Sequence, residues 1–494
     1  MTDFYASFTG EPVDYAAIVR EKKRQALRQL LSAEISRLLR LLEPLAAAES
    51  ALRTFSAEQF REALVELVAD FPVYRTYIQA DERRMHDEDI HHIGQACTEA
   101  RAHQPELGGI FDFLQSLLLL KALPDESSEF VMRFQQLTGP AMAKGVEDTT
   151  YYCFNRLVAL NVVGGNPGQF GWSVSDFHAA EQHAQKHWPH SMLATSTHDT
   201  KRSEDVRGRL SALSEIPDEW AKTVRRWSVL NEKHRRNQFP DRNAECLFYQ
   251  TVLGAWPLSV ERAVAYMEKA AREAKQHTTW TECNQAYETA LKHFVTATLG
   301  SAEFVAEVEA FLKSLIEPGR VNSLAQTLLK LTTPGVPDIY QGTELWDLSL
   351  VDPDNRRPVD YAVRRQLLAE LPGLTATEVM TRSDEGLPKL WLIQRTLEFR
   401  KRHPKLFGAD SSYEPLLAQG EKAGHVVAFV RGGQAVTVVP RLVLGLANDW
   451  GDTTLILPPG QWVNELTGQT ISCRDRRLAE LLQTFPVALL SMSA

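Results

Sequence analysis

A short apolar-to-small run, Met192-Leu193-Ala194-Thr195-Ser196, passes directly into Thr197-His198-Asp199-Thr200-Lys201-Arg202-Ser203-Glu204-Asp205-Val206-Arg207. The run predicts a short buried strand. The segment after it packs one His, three acids and, counting Arg209, four bases into a polar loop. A strand that ends in such a loop narrows the choice of fold. A (β/α)8 barrel enzyme places a His-Asp pair of this kind at the C-terminal ends of its strands, where its chemistry occurs. A solvated charge cluster opening a helix accounts for the residue types, but for neither the strand nor the His-Asp pair.

The rest of the chain is read against that strand. Apolar residues recur at three and four over residues 14–70, with Glu, Lys and Arg between them, which predicts helices. Residues 82–122 continue in the same style up to FDFLQSLLLLKAL. Pro72-Val73-Tyr74-Arg75-Thr76-Tyr77 interrupts them as a strand, a turn or a substrate-contacting loop. Residues 128–195 alternate short helices with polar turns, and 217–315 are again helical. A helix over 320–333 ends at Pro334, and PGVPDIYQGTEL reads as a second short buried strand leading into a polar loop. After about residue 385, short β-branched runs such as HVVAFVRG, TTLILPPGQWV and PVALLSM predict an antiparallel β-domain.

The 494 residues suggest roughly three domains at ~150 residues each. The net charge of −9, with no Lys/Arg tract, argues against nucleic acid as a partner. Cys97, Cys153, Cys246, Cys283 and Cys473 are scattered, without CxxC or metal spacing. Buried thiols in a reducing compartment are the simplest account. The N-terminus lacks the pattern of a signal peptide, and no run approaches the ~18 apolar residues of a membrane span. We therefore expect a cytoplasmic protein with no membrane contact and no metal or organic cofactor.

Three constellations could carry chemistry. In the first, a carboxylate such as Asp199 beside a sugar ring stabilises an oxocarbenium-like transition state. His198 would donate to a hydroxyl, and Lys201 and Arg202 would keep nearby carboxylates ionised. The second, Lys144 to Pro167, interleaves Lys144, Glu147, Asp148 and Arg156 with Tyr151, Tyr152 and Phe154. Aromatic platforms flanked by charged groups suit sugars, and a helix with aromatic core positions is the alternative. Its Gly164-Gly165 pair has no phosphate-loop context. The third, Leu350 to Tyr361, reads as a salt-bridged loop, and its acids do not have the spacing of a calcium-binding EF loop.

The strings KGVEDTTYYCFNRLVALN, THDTKRSEDVRGRLSALSE and TTPGVPDIYQGTELWDLSLVDPDNRRPVD resemble maltooligosyl trehalose synthase, of the α-amylase superfamily of (β/α)8 barrels. The resemblance runs from near residue 5 to the C-terminus. It implies an intramolecular transglucosylation, in which the reducing-end α-1,4 link of a maltooligosaccharide becomes an α,α-1,1 link. Asp199, with His198, then resembles the Asp that stabilises the transition state. Lys201, Arg202, Glu204, Asp205, Lys144, Glu147, Asp148, Tyr152, Arg156, Tyr74 and Arg75 become the candidate substrate-binding residues. The superfamily's nucleophile Asp and acid/base Glu have no matching motif here, so the chain reads as the distal part of such an enzyme. It departs from the family's usual residues at Cys153 (usually Arg) and Val162 (usually Glu).

The expected fold class is α/β. It comprises a partial (β/α)8 barrel (last strands only) with large helical insertions and a C-terminal antiparallel β-domain. The expected divisions are a helical insertion subdomain over 1–127, the distal barrel over 128–385 with a helical insertion at about 215–315, and the β-domain over 386–494. The expected ligand is a maltooligosaccharide or glucan, and an N-terminal barrel half is a possible partner chain. A non-catalytic glucan-binding remnant and an amylase-like hydrolase are the competing functions. The isolated chain is expected to be inactive.

Overall fold

The computed structural model describes residues 1–10, 13–121, 127–472 and 474–493. Cys473 and residues 122 and 123 of the predicted helical run lie outside them. By compactness the chain forms two units. One comprises Gly10–Asn155 with Lys269–Gln285, and the other Met1–Thr9, Arg156–Glu268 and Ala286–Ala494.

The smaller unit is helical, for the reason the periodicity gives. In the helix Ser32–Ala47, the buried residues Ile35, Leu38, Leu39, Leu42, Leu45 and Ala46 repeat at three and four, so they form one stripe. The helix Ala57–Ala69 starts at Ser56, whose hydroxyl accepts from the Gln59 N–H while the Gln59 side chain takes the Ser56 N–H. This capping box satisfies two otherwise orphaned donors. These stripes meet Phe111, Phe130, Val131 and Phe134 in a single core. Residues 72–77 contain no strand. The helix Ser127–Met142 runs into a π-helical stretch, Ala143–Thr150, that carries KGVEDTT. Here the Thr149 and Thr150 hydroxyls donate to the carbonyls five residues back, at 2.8 and 2.9 Å.

In the larger unit two strands, β1 (Met192–Leu193) and β2 (Val336–Pro337), pair in parallel with Met192 opposite Val336. Both were expected to be buried, yet Met192 is 65% and Val336 43% exposed. The reason is that no third strand flanks this pair among the described residues. Parallel strands are normally covered on both faces by neighbouring elements. The connection between them includes the helices Glu204–Ser211 and Ile316–Thr332, which cross at glycines. A Cβ on Gly208 would sit 2.8 Å from Ser323 Oγ, and one on Gly319 2.8 Å from Arg209 Cα. A side chain at Gly319 would run into the Arg209 backbone and one at Gly208 would have to displace the Ser323 hydroxyl, so the two helices approach closely there.

A helix, Leu387–Arg402, precedes the C-terminal strands, so β structure begins later than the sequence suggests. The strands are β3 (Tyr413–Pro415), β4 (Ala418–Gln419), β5 (Val426–Arg431), β6 (Ala435–Pro440), β7 (Thr454–Ile456), β8 (Trp462–Asn464), β9 (Thr470–Ile471), β10 (Asp475–Arg477) and β11 (Ala488–Met492). They form an antiparallel sheet in the order β3-β5-β6-β11-β8-β9 and a smaller one, β10-β7-β4. Alternation divides β5 between two cores. Val427 and Phe429 pack with Trp391 and Phe399 of the preceding helix, while Val426, Ala428 and Val430 face Trp450, Leu455 and Trp462.

Candidate active site

The turn after β1 holds His198 and Asp199 at the surface. His198 is exposed, and the Asp199 side chain is 49% exposed with the buried Lys201 ammonium 4.0 Å away. Three contacts shape the turn. The Asp199 N–H donates to Thr197 Oγ1 at 3.2 Å, and the Thr200 hydroxyl donates to the Thr197 carbonyl at 3.1 Å. The third contact is remote: Asn355 Nδ2 donates to the carbonyls of Thr197 and His198, at 3.3 and 3.1 Å.

Asn355 lies in the Leu350–Tyr361 loop, which is salt-bridged as expected. Asp354 takes Arg262 bidentately at 2.9 and 2.7 Å and accepts the Leu350 N–H at 2.8 Å, and Arg357 lies 3.2 Å from it. Those partners hold the Asp354 carboxyl below its ordinary range, although burial, the largest single influence, pushes the other way. The loop also meets the site strand-fashion: Arg202 bridges Leu350, and the Ser203 N–H donates to the Ser349 carbonyl at 3.0 Å.

From Thr200 to Asp205 the chain is buried. Arg202 donates to Tyr266 Oη at 2.6 Å and to the Val158 carbonyl at 3.4 Å. Glu204 and Asp205 share Lys389, whose Nζ lies 2.7 Å from Glu204 and 2.8 Å from Asp205. Lys330 stands 3.4 Å from Glu204 and donates to Thr195 Oγ1 at 2.8 Å. Burial pushes the Glu204 carboxyl up, but Lys389 and Lys330 overcome it and leave its pKa at about 2. Asp205 is raised, first by burial and then by Glu204 beside it, against the pull of Lys389. The expectation that Arg202, Glu204 and Asp205 touch substrate thus meets a geometry in which all three are enclosed and bonded to protein. Sequence reasoning did not pick out Asn355, Lys330 or Lys389. Asn355 was visible only as part of a turn-rich loop, and Lys389 stands 184 positions from Asp205 in an unremarkable Leu-Pro-Lys-Leu-Trp run.

The remaining candidates divide between the units. In the helical unit Glu147 is buried and accepts from the Tyr74 hydroxyl, while Lys144 and Asp148 pair at 2.8 Å. Arg75 lies over the Tyr77 ring at 4.8 Å, and Tyr152 is buried. Cys153, where the family's usual Arg is absent, is buried and donates to the Ala274 carbonyl at 3.3 Å. Arg156 belongs to the other unit, where it donates to the Pro167 carbonyl at 2.6 Å and lies 4.8 Å over Phe170. Among the described residues no cluster of His, Cys, Asp and Glu could hold a metal, and no helix is long and apolar enough to cross a membrane. Cys97, Cys153 and Cys246 are buried thiols, but Cys283 is exposed, which corrects the expectation for that residue. It falls in the short polar connection 275–284, away from any core position.

No family model matches this chain. It is 35% identical over 489 residues to a Mycobacterium tuberculosis protein provisionally named maltooligosyl trehalose synthase, covering 97% of this chain and 58% of that protein. The solved maltooligosyltrehalose synthase of Arthrobacter ramosus superposes with a TM-score of 0.87 at 37% identity, over 100% of this chain and 60% of that one. The glycosyltrehalose synthase of strain DSM5389 gives 0.78 at 31%, over 100% and 57%. The chain therefore spans about three fifths of the length of the relatives it matches.

Proposed function

We propose that this chain, a homologue of maltooligosyl trehalose synthases along nearly its whole length, supplies the transition-state-stabilising side of a glucan isomerase active site. In this reading β1 and β2 are the last two strands of a (β/α)8 barrel. The strands bearing the nucleophile Asp and the acid/base Glu come from the remainder of such an enzyme, on the same polypeptide or on another. The reaction breaks the α-1,4 bond at the reducing end and forms an α,α-1,1 bond between the same two glucose units, so no water is consumed. Asp199 stabilises the positive charge that develops at the anomeric carbon, and His198 binds a ring hydroxyl. Arg202, Glu204 and Asp205 act as positioning residues beneath the turn. Tyr74, Arg75, Lys144, Glu147, Asp148 and Tyr152 in the helical unit, and Arg156 in the other, remain candidate sugar contacts. The mostly buried thiols favour a reducing, cytoplasmic setting.

One observation carries the reading. In a homologue of these enzymes, the half-exposed Asp199 carboxylate sits at a parallel strand end, on a turn whose carbonyls accept from the Asn355 amide, with the buried Lys201 ammonium 4.0 Å away. The test counts reducing ends during incubation with maltopentaose, for the chain alone and for the chain combined with the N-terminal part of a family enzyme. We expect no change alone, and loss of reducing ends without free glucose in the combination. A combined enzyme in which Asp199→Asn keeps a near-normal rate refutes the assignment of Asp199.

A further inference from the structure

A cavity of about 340 Å³ in the larger unit is not lined by any residue of the His198–Asp199 turn. Its wall includes two indoles, Trp256 and Trp346, and four charged side chains, Arg209, Arg320, Asp205 and Asp384. The volume lies at the small end of the ~300–1,000 Å³ typical of small-molecule sites.

The lining is fixed before any ligand arrives. Arg209 Nη1 donates to the carbonyls of Leu253, Gly254 and Trp256 at 3.1, 3.2 and 3.0 Å, which secures the chain that carries the Trp256 indole. Trp346 Nε1 donates to the Ser383 carbonyl at 2.6 Å. Asp205 is held by Lys389 and by the Asp347 N–H at 2.7 Å. At the other extreme, Arg320 pairs with Asp384, whose side chain is almost fully exposed. Two cations and two anions balance, so the cavity has no preference for an anion or a cation. Two aromatic surfaces with a polar charged rim select a neutral ligand that has an apolar face and an edge of hydroxyls.

We propose that this cavity is a second carbohydrate site that binds one or two glucosyl units away from the reacting bond. Trp256 and Trp346 supply the apolar wall, and Arg320 and Asp384 supply the hydrogen bonds. That the sugar is glucosyl rests on the function proposed above, whereas the cavity's preference for a neutral sugar does not. Such a site raises the local concentration of a long glucan at the protein.

The test titrates maltose into the full chain, up to about 50 mM to reach a weak site, while following the tryptophan indole N–H resonances. The expected result is a saturable shift at Trp256 and Trp346 that Asp199→Asn leaves unchanged. Trp256→Ala should weaken binding at least tenfold. Asp384→Ala, an exposed change that leaves the core intact, should weaken it several-fold. No shift at either indole overturns the inference. So does a saturable shift that both cavity variants leave intact. Maltose binding that depends on Asp199 but not on Trp256 sinks the second site and leaves the proposed function standing. Trp256-dependent binding in a chain whose complemented form never turns over does the reverse.

Discussion

Replacing Lys389 with Met tests whether the buried ion cluster beneath the site is held by that one ammonium. Lys389 Nζ lies 2.7 Å from Glu204 and 2.8 and 3.0 Å from the two Asp205 oxygens. Of the two carboxylates Lys330 reaches Glu204 alone among the described contacts, at 3.4 Å. Methionine keeps the volume and removes the charge, which leaves Asp205 with the Asp347 N–H as its remaining hydrogen-bond donor. A carboxylate so enclosed takes up a proton. Its ordinary pKa is 3.8, so protonating it at pH 7 costs about 4.4 kcal/mol, at about 1.36 kcal/mol per unit; because the native carboxyl is already raised, that figure is the upper limit of the loss. That falls within the ~3–5 kcal/mol typical of breaking a buried pair.

The sign of the pH dependence follows from the same shift. A carboxyl whose folded pKa lies above its unfolded value is accommodated at no loss below the unfolded pKa, and stability falls as pH rises towards the folded one. The penalty of Lys389→Met should therefore shrink to no more than about 1.6 kcal/mol at pH 5. Urea unfolding followed by tryptophan fluorescence measures it. Trp346 stands beside Lys389, with Nζ 6.0 Å from the ring centroid. Lys389→Met/Asp205→Asn should recover most of the loss, since the neutral amide needs no counter-ion. A loss below about 1 kcal/mol, or one independent of pH, refutes the reasoning.

Three further outcomes are expected. Glu204 has a folded pKa of about 2 against an ordinary 4.5, so it contributes up to about 3.4 kcal/mol above its unfolded pKa, lost as pH falls towards 2. Glu204→Gln should flatten that acid limb, with the raised Asp205 partly masking the difference. Asn355→Leu removes both donors to the Thr197 and His198 carbonyls. It should cost about 1–3 kcal/mol and speed hydrogen exchange at the Asp199 amide, while exchange within Ile316–Thr332 stays unchanged. In a Cys473→Ser background, a thiol reagent should label Cys283 in the native chain and spare Cys97 and Cys246. Those two thiols are pushed up to about 12, mainly by burial.

What could be read from the sequence follows the range of each interaction. Ser32–Ala47 and β5 were legible because an apolar stripe or a β-branched run is written in consecutive residues. The His198–Asp199 turn was legible for a similar reason, since a strand, a dipeptide and a loop adjoin. The burial of β1 and β2 was misjudged because an apolar strand states only that something should cover it. It does not state whether the covering strand is at hand. The charged residues after the turn were harder still. Arg202, Glu204 and Asp205 look like exposed ligand-binding groups until Tyr266 accepts from Arg202 and Lys330 and Lys389 pair with the carboxylates, all from distant helices.

That concealment has a physical cause. Burying Glu204 and Asp205 without cations is prohibitive, so a lone acidic pair in sequence reads as solvent-facing. Their cations come from Ile316–Thr332 and Leu387–Arg402, which also carry core residues such as Leu328 and Trp391. The cluster therefore ties the ground beneath Asp199 to the same helices that build the hydrophobic core. Asn355 completes the arrangement from the loop after β2, so the backbone of the turn and the Glu204 just beyond it are held by chain segments from three places in the sequence. The role proposed for Asp199 requires this kind of support, because stabilisation of a transition-state charge depends on the group being in place before the charge develops.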